Sequence, residues 1–468
     1  MESMPLALGL FALTYILMLC LPKYRRFVAL GSAAVFLATG MLPLKDALGY
    51  IDWNVLMMIA GTMGIVSLFI ESRMPARMAD ILLAHVPNVK WAVVMLALFA
   101  GLISAFVDNV ATVLMVAPVA MAISKRLNIN PVPMIIAIAV SSNLQGAATL
   151  VGDTTAILLG GYANMNFLDF FVYLGKPSIF FAVELGALCS AAILLVMFRK
   201  ETASVPEPQV TPVSNYVPTF LLLGTIVLLI LASFLPGMPK TINGIICMSL
   251  LTIGLLYTAA TQKSLQAVVK PLREIDLDTI LLLLGLFLVI GGITEQGVID
   301  QLAALIARLG GSNLFVIYTV IVWASVLFSA FIDNIPYVAT MLPVVQKIAL
   351  DMGVDPTVLY FGLLSGATLG GNLTPIGASA NITSIGILRK AGYEVQNRDF
   401  MRIGIPFTLA AIIPAYYISG FSMEFEELVC GKNRKVSGTR QIFLAACWEI
   451  CYHIPNKTAS PSGALMGE

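Results

Sequence analysis

Charge is what this chain has least of. Asp, Glu, Lys and Arg make up 11% of its 468 residues, where a soluble domain carries roughly 25%. The two signs nearly cancel, leaving a net charge of +1. That excludes the basic face a nucleic-acid binder needs, so no nucleic-acid partner is expected. Only two histidines occur, His85 on an amphipathic connector and His453 near the C-terminus. The six cysteines, Cys20, Cys189, Cys247, Cys430, Cys447 and Cys451, fall in no metal-ligand or disulfide spacing. No phosphate-binding glycine loop is present, so ATP hydrolysis within the chain is not expected.

Apolar residues, at 59%, supply the corresponding excess. Segments able to cross roughly 30 Å of hydrocarbon are expected over 4–21, 27–44, 53–71 and 177–198, with a broken crossing over 131–162. The second half repeats this over 217–235, 241–260, 278–295 and 403–423, with a broken crossing over 356–388. The chain reads as an all-α polytopic membrane protein in a lipid bilayer. Its first segment has neither a basic leading region nor a small-residue cleavage site, and is expected to be an anchor.

Two heptapeptides, Ser104-Ala105-Phe106-Val107-Asp108-Asn109-Val110 and Ser329-Ala330-Phe331-Ile332-Asp333-Asn334-Ile335, lie 225 residues apart. The same offset pairs Pro118 with Pro343, Pro131 with Pro356, Gly146 with Gly371, Thr149 with Thr374 and Gly152 with Gly377. The chain is an internal duplication. The stretches 91–126 and 313–350 each carry Asp-Asn at the middle and read as hairpins, because a non-helical turn at membrane depth is tolerated only where protein or water satisfies its backbone. Each half then holds five crossings, one of them broken, and one re-entrant hairpin. An odd number of crossings turns the second half upside down relative to the first, giving an inverted repeat.

The distribution of Lys and Arg orients the chain. With the N-terminus outside, the cytoplasmic connections hold seventeen Lys and Arg, from Lys23 and Arg25 to Arg398 and Arg402, against five outside: Lys45, Lys176, Lys240, Arg308 and Lys347. The expected division is a first transmembrane repeat over 1–198, a cytoplasmic linker over 199–216 rich in proline (Pro206, Pro208, Pro212), and a second repeat over 217–423. On this reading Ser204 is cytoplasmic, Ser312 is external, and the protein sits in the cell (inner) membrane. Residues 424–468 mix charged and apolar side chains and have no first-half counterpart. They read as a variable appendage or as a segment lying on the membrane surface.

A carboxylate inside a membrane costs at least about 2.5–3.5 kcal/mol at a helix centre, so Asp108 and Asp333 need a reason. One is a cation or proton site: at a hairpin tip, free carbonyls, a carboxylate and the neighbouring Asn109 or Asn334 amide can replace the hydration shell of Na⁺. The other is that each Asp caps its returning helix. The two are compatible, but capping alone does not explain a shared heptapeptide. The breaks are the second constellation, Gln145 to Thr155 with Thr149, Gly152, Asp153 and Thr154, and Gly370 to Asn381 with Asn372, Thr374, Gly377, Ser379 and Asn381. Gly and Pro interrupt a membrane helix there, and the N-terminus of the continuing half-helix can face an anionic or polar substrate. A kink relieved by Thr and Ser is the plainer account. Asp52 with Asp276 and Glu71 with Glu295 pair at an offset of 224 and read as interfacial. Glu184 lies inside a crossing without a second-half partner, as a proton carrier or on a polar seam.

At tips and breaks the sequence resembles the ion transporter superfamily. Ser-Ala-Phe-x-Asp-Asn followed by Pro118 or Pro343 is similar to the branch holding arsenite-efflux membrane subunits, D-type Na⁺/H⁺ antiporters and the melanosomal P protein, with a citrate-transporter-like layout. More distantly it resembles the divalent anion/sodium symporters. The resemblance implies sodium sites formed by the tip and break of the same half, with substrate held between the two tips. It points to Ser104, Asp108, Asn109 and Gly152, and to Ser329, Asp333, Asn334 and Gly377. It also implies a homodimer, or an ATPase subunit as partner if the protein works like an arsenite pump. Asp108 and Asp333 stand where the symporters have Ser. That added negative charge disfavours a dicarboxylate and favours a cation, a neutral hydroxide such as arsenite, or an anion escorted by cations.

The leading expectation is a secondary active transporter working by alternating access, coupled to H⁺ or Na⁺, with a Na⁺/H⁺ antiporter or an arsenite permease as specific alternatives. No cofactor is expected beyond the coupling ion. A passive channel would also use broken helices. An intramembrane aspartyl protease is disfavoured, because Leu150 stands where its pattern wants Gly before Gly152-Asp153. Within the site, Asn372→Ala is expected to harm substrate affinity more than Thr149→Ala, because Asn and Pro survive only in the second break.

Overall fold

A computed structural model describes residues 3–205, 210–235, 237–311 and 313–429. The linker prolines Pro206 and Pro208, Ser312, and the tail from 430 onward with Cys430, Cys447, Cys451 and His453 lie outside them. The described chain is helical almost throughout. The first half runs α1 (Ser3–Cys20), α2 (Arg25–Ala38), α3 (Leu44–Tyr50), α4 (Trp53–Glu71), α5 (Met74–Leu83), α6 (Val89–Ser104), α7 (Asn109–Leu127), α8 (Val132–Gln145), α9 (Thr154–Tyr162) and α10 (Ile179–Met197). The second runs α11 (Val217–Ser233), α12 (Ile242–Gln262), α13 (Leu265–Arg273), α14 (Leu277–Glu295), α15 (Val298–Gly310), α16 (Leu314–Ser329), α17 (Asn334–Met352), α18 (Thr357–Gly370), α19 (Ser379–Lys390) and α20 (Asn397–Val429). The helices α1–α10 of the first half correspond in order to α11–α20 of the second. Between α9 and α10 a small antiparallel hairpin pairs β1 (Val172–Tyr173) with β2 (Lys176–Pro177).

The element ends follow local chemistry. Asp52 accepts a hydrogen bond from Val55 N at 3.0 Å and caps α4; Asp276 accepts from Thr279 N at 3.1 Å and caps α14. Glu71 pairs with Lys270 at 2.6 Å and Glu295 accepts from Tyr50 Oη at 2.6 Å. The four acids paired at offset 224 thus serve helix ends. α7 stops at Asn128 (φ 52°) and α17 at Gly353 (φ 67°), equivalent positions in the left-handed region that Gly and Asn tolerate.

Among the described residues six helices, α4, α7, α10, α12, α14 and α20, are long and apolar enough to cross a membrane; α1 and α2, meeting at 114°, would make a seventh as a bent pair. Some expected boundaries shift. The crossing read over 27–44 ends at Ala38, because Gly40 at φ 72° and Pro43 turn the chain before the short α3. The last helix begins at Asn397 and continues through Val429, past the boundary read at 423. Over the stretches read as hairpins, the second helix, α7 or α17, has 19 residues against 16 in the first, so length does not separate a returning limb from a crossing. Exposed Phe220, Leu256 and Leu188 are apolar side chains suited to lipid.

The halves interlock. α4 packs on α12 and α14 on α2. A Cβ on Gly61 would lie 2.6 Å from the Cys247 backbone, and one on the equivalent Gly285 2.7 Å from that of Ala29. Small residues there let helix backbones touch, the usual route to tight packing where water drives nothing together. Inside this frame α8 lies on α6 and α18 on α16, while α9 packs on α17 and α19 on α7.

Candidate functional site

Each tip is a short turn between two helices. α6 ends at Ser104, and Asp108 opens α7 by accepting from Val110 N at 3.0 Å and Ala111 N at 3.2 Å. Asp333 opens α17 by accepting from Ile335 N at 3.2 Å. Capping is therefore real in both halves. Each break is a 3₁₀ turn followed by one extended threonine, Thr149 (φ −132°, ψ 164°) or Thr374 (φ −129°, ψ 158°). The two hydroxyls donate to the Ala105 and Ala330 carbonyls of their own tips.

Tip and break meet backbone to backbone. A Cβ on Gly152 would lie 2.6 Å from Gly146 O, 2.8 Å from Ser104 O and 2.9 Å from Ala105 O; one on Gly377 would meet Gly371 O, Ser329 O and Ala330 O at the same three distances. Three carbonyl oxygens thus crowd the same glycine of each half and leave no room for a side chain where tip and break touch. Among the described residues no group of three His, Cys, Asp or Glu could hold a metal.

Charge separates the two halves. Asp153, 4% exposed, caps α9 through Thr154 N at 2.8 Å and accepts from Thr155 Oγ1 at 2.7 Å. Asp108, Asp153 and Thr154 line one cavity of about 10 Å³ with Thr62 and Ile59 of α4, room for about one water-sized occupant. Neither aspartate has a basic partner among the described residues. In the second half the position of Asp153 is Ala378, whose side chain does not cap α19. Asp333 there is paired, its Oδ2 lying 2.6 Å from Arg25 Nη1.

The amides divide in the same way. Asn109 Nδ2 donates to Asn143 Oδ1 at 2.9 Å, and Asn143 Nδ2 donates to Asn372 Oδ1 at 3.1 Å and Thr368 O at 2.6 Å. Asn372 Nδ2 closes the chain on Val140 O at 2.9 Å. This network joins the first tip to the second break and uses Asn372 on both ends. Ser142 Oγ donates to Ser104 Oγ at 3.1 Å and to Asn109 O at 3.0 Å; Ser329 Oγ donates to Ala367 O at 2.5 Å. Asn381 Nδ2 ties Gly371 O and Thr374 O at 3.0 and 3.2 Å, leaving its buried Oδ1 without a partner. Asn334, Ser379 and the Thr154 hydroxyl make no side-chain hydrogen bond among the described residues. Glu184 stands behind the first break, taking Gln145 Nε2 at 3.4 Å. His85 Nδ1 contacts Ile81 O at 2.8 Å, away from both sites.

Asn372→Ala would leave Asn143 Nδ2 with one partner fewer and Val140 O with none from this amide, at about 1–3 kcal/mol for an unsatisfied buried group. The expected result is a clear fall in melting temperature for Asn372→Ala and little for Asn334→Ala, measured by thermal unfolding of the purified protein. Equal melting temperatures would mean that the network does not brace the halves. Sequence reading missed Arg25, Asn143 and Thr62. Of these only Asn143 carried a signal, in the polar run Ser141-Ser142-Asn143 within an apolar helix.

Comparison with known proteins bears on what such a site serves. A family model described as "Citrate transporter" matches residues 15–366 and 266–451. An uncharacterized transporter of Mycobacterium tuberculosis is 30% identical over 423 residues, covering 88% of this chain and 97% of its own length. A 46 kDa membrane protein of Mycobacterium leprae is 31% identical over 422 residues, covering 87% and 96%. The human P protein is 25% identical over 495 residues, covering 87% of this chain and 58% of its own. Among solved structures, the YdaH transporter of Alcanivorax borkumensis shares the fold with a TM-score of 0.57 at 13% identity, covering 87% of this chain and 98% of that one. MtrF of Neisseria gonorrhoeae does so with a TM-score of 0.53 at 16% identity, covering 81% and 82%. A transporter rather than an enzyme, and a multi-pass membrane protein that moves a small solute, this chain belongs to the citrate transporter (CitMHS) family of the ion transporter superfamily.

Proposed function

We propose that the chain is a secondary active transporter that couples a small anion to a cation, Na⁺ or H⁺, with the two partners divided between the halves. The observation that carries this reading is the pair Asp108 and Asp153, which share one small cavity and have no basic partner among the described residues. An isolated carboxylate pair in a membrane needs a positive guest. The second half supports an anion instead: Asp333 is neutralised by Arg25, α19 has no side-chain cap, and Asn334 and Ser379 have free polar groups. The partly positive end of α19 favours a negative group there. The substrate class is a small organic or inorganic oxyanion, escorted by the cation of the first half.

Purified protein in liposomes, screened with citrate, dicarboxylates, phosphate, sulfate, arsenite and chloride under imposed sodium or pH gradients, tests this. Uphill accumulation of one anion driven by one gradient is expected. Equalisation without accumulation would mark a channel, and gradient-driven sodium exchange with no anion would favour a Na⁺/H⁺ antiporter.

The inverted arrangement belongs to the same proposal. Seventeen Lys and Arg on one side against five on the other support an external N-terminus and a cytoplasmic linker. Cysteines placed at Ser204 and Ser312 on a cysteine-free background are expected to react with an impermeant thiol reagent from opposite sides, Ser204 from the cytoplasm. Reaction of both from one side would overturn the topology.

A further inference from the structure

We propose that the groove between α5 and α6 holds one anionic phospholipid of the bilayer, its acyl chain laid along α6 and its phosphate met by Lys90 and His85. The inference goes beyond the proposed function and is independent of which solute or coupling ion the protein carries.

A cavity of about 610 Å³ lies between these two helices. Met78, Ile81 and Leu82 form one wall from α5, and Trp91, Met95 and Phe99 form the other from α6. The three α6 residues recur at every fourth position, so they make one stripe along the helix. From Trp91 to Phe99 that stripe extends about 12 Å at 1.5 Å per residue. One leaflet offers about 15 Å of hydrocarbon, half of the core, so the groove matches most of an acyl chain. Met78, Ile81 and Trp91 are exposed, which leaves the apolar walls open to the bilayer.

The two ends of the groove differ in charge. Phe99 closes the deep end, whereas the end at the start of α6 is basic. His85 lines it, with Nδ1 taken by Ile81 O at 2.8 Å and Nε2 left for another partner. Lys90 Nζ lies 5.6 Å from the centroid of the Trp91 ring and makes no ion pair among the described residues. This mouth is held in place. Asn88 caps α6 by accepting from Trp91 N at 3.2 Å, and the linker fastens the first turn, Val89 N donating to Ala203 O at 2.9 Å and Lys90 N to Glu201 O at 3.0 Å. Tryptophan with lysine at the start of a membrane helix suits the headgroup level, and a basic pocket between helices at that level recognises a lipid phosphate. A purely apolar occupant would leave Lys90 without a counter-ion. The feature belongs to one half, because at the offset of 225 Lys90 and Trp91 become Phe315 and Val316. Since α6 runs on to Ser104 at the first tip, a lipid seated here braces the first hairpin and not the second.

The full-length protein, purified in detergent and stripped of lipid, is titrated with phosphatidylglycerol and separately with phosphatidylcholine of the same chains, and native mass spectrometry counts the lipid retained. Wild type is expected to keep one phosphatidylglycerol with a preference of about fivefold or more over phosphatidylcholine, the effect of one basic residue at the surface. The same lipid is expected to raise its melting temperature, as a ligand of the folded state does. Lys90→Gln is expected to lose the preference and hold both lipids alike. Met95→Trp, which fills the middle of the groove, is expected to retain neither. Equal retention of the two lipids by wild type would overturn the proposal, as would a preference that survives Lys90→Gln or a lipid that survives Met95→Trp. A protein dimer dissociated by Met95→Trp would give the groove to a second copy of the chain and overturn it too. Lys90→Gln keeps the backbone bond to Glu201, so it decides the matter even where the tryptophan variant fails to fold.

Discussion

Asp108→Asn is expected to abolish gradient-driven uptake while leaving a folded, membrane-inserted protein. Asp108 has two roles that the substitution separates. As a cap it accepts from Val110 N and Ala111 N, and an Asn cap is nearly equivalent. As one of two carboxylates lining the cavity of about 10 Å³, it supplies a charge that an amide lacks. A positive guest held by two carboxylates loses a large share of its attraction when one is neutralised, since little water is present to screen the rest. Accumulation of substrate in liposomes against its gradient is the measurement, with size-exclusion profile and melting temperature as the folding control. Unchanged uptake would reduce Asp108 to a cap and remove the main support for a first-half cation site.

The second large effect concerns the contact of tip and break. Gly152→Ala and Gly377→Ala each push a methyl to within 2.6 Å of a backbone carbonyl, with two more carbonyls inside 3 Å. Backbone cannot rotate away as a side chain can, so tip and break must part. Overpacking of this kind costs about 1–3 kcal/mol or more. Both variants are expected to melt lower and to lose transport, Gly152→Ala by way of the cation site and Gly377→Ala by way of the anion site. Gly386→Ala on α19, where a Cβ meets nothing within 4 Å, is the control and should melt as wild type does. If Gly152→Ala melted and transported like Gly386→Ala, the close approach would carry no weight in the working protein.

What could be read from sequence was whatever the chain states locally. Asp-Asn in the middle of an apolar stretch, and Gly-Asn-Leu-Thr-Pro-Ile-Gly within another, interrupt helices by their own chemistry; the turns between α6 and α7 and between α16 and α17, and the two breaks, stand where those residues are. The duplication doubled that signal. Short helices such as α3 and α13 escaped because neither is long enough to register as a span. Arg25 escaped for a different reason. As one of many basic residues it contributed to the inside–outside count, and its meaning depends on a carboxylate 308 residues away. Asn372 illustrates the converse. Its place in a polar break marked it for substrate, yet it spends its amide on Val140 and Asn143 across the seam between halves, a use visible only once α8 and α18 are side by side.

The interlock limits what either half could do alone. α2 finds its partner in α14, α4 in α12, α7 in α19 and α9 in α17, while α6 packs on α8 and α16 on α18 within one half. A single repeat would have had nothing to cover those faces. A half alone would need a second copy to cover the same faces. Within one chain the halves need not match, and they do not: one carries Asp153 where the other has Ala378, and among the described residues the Asp333 tip pairs with Arg25 while the Asp108 tip has no such partner.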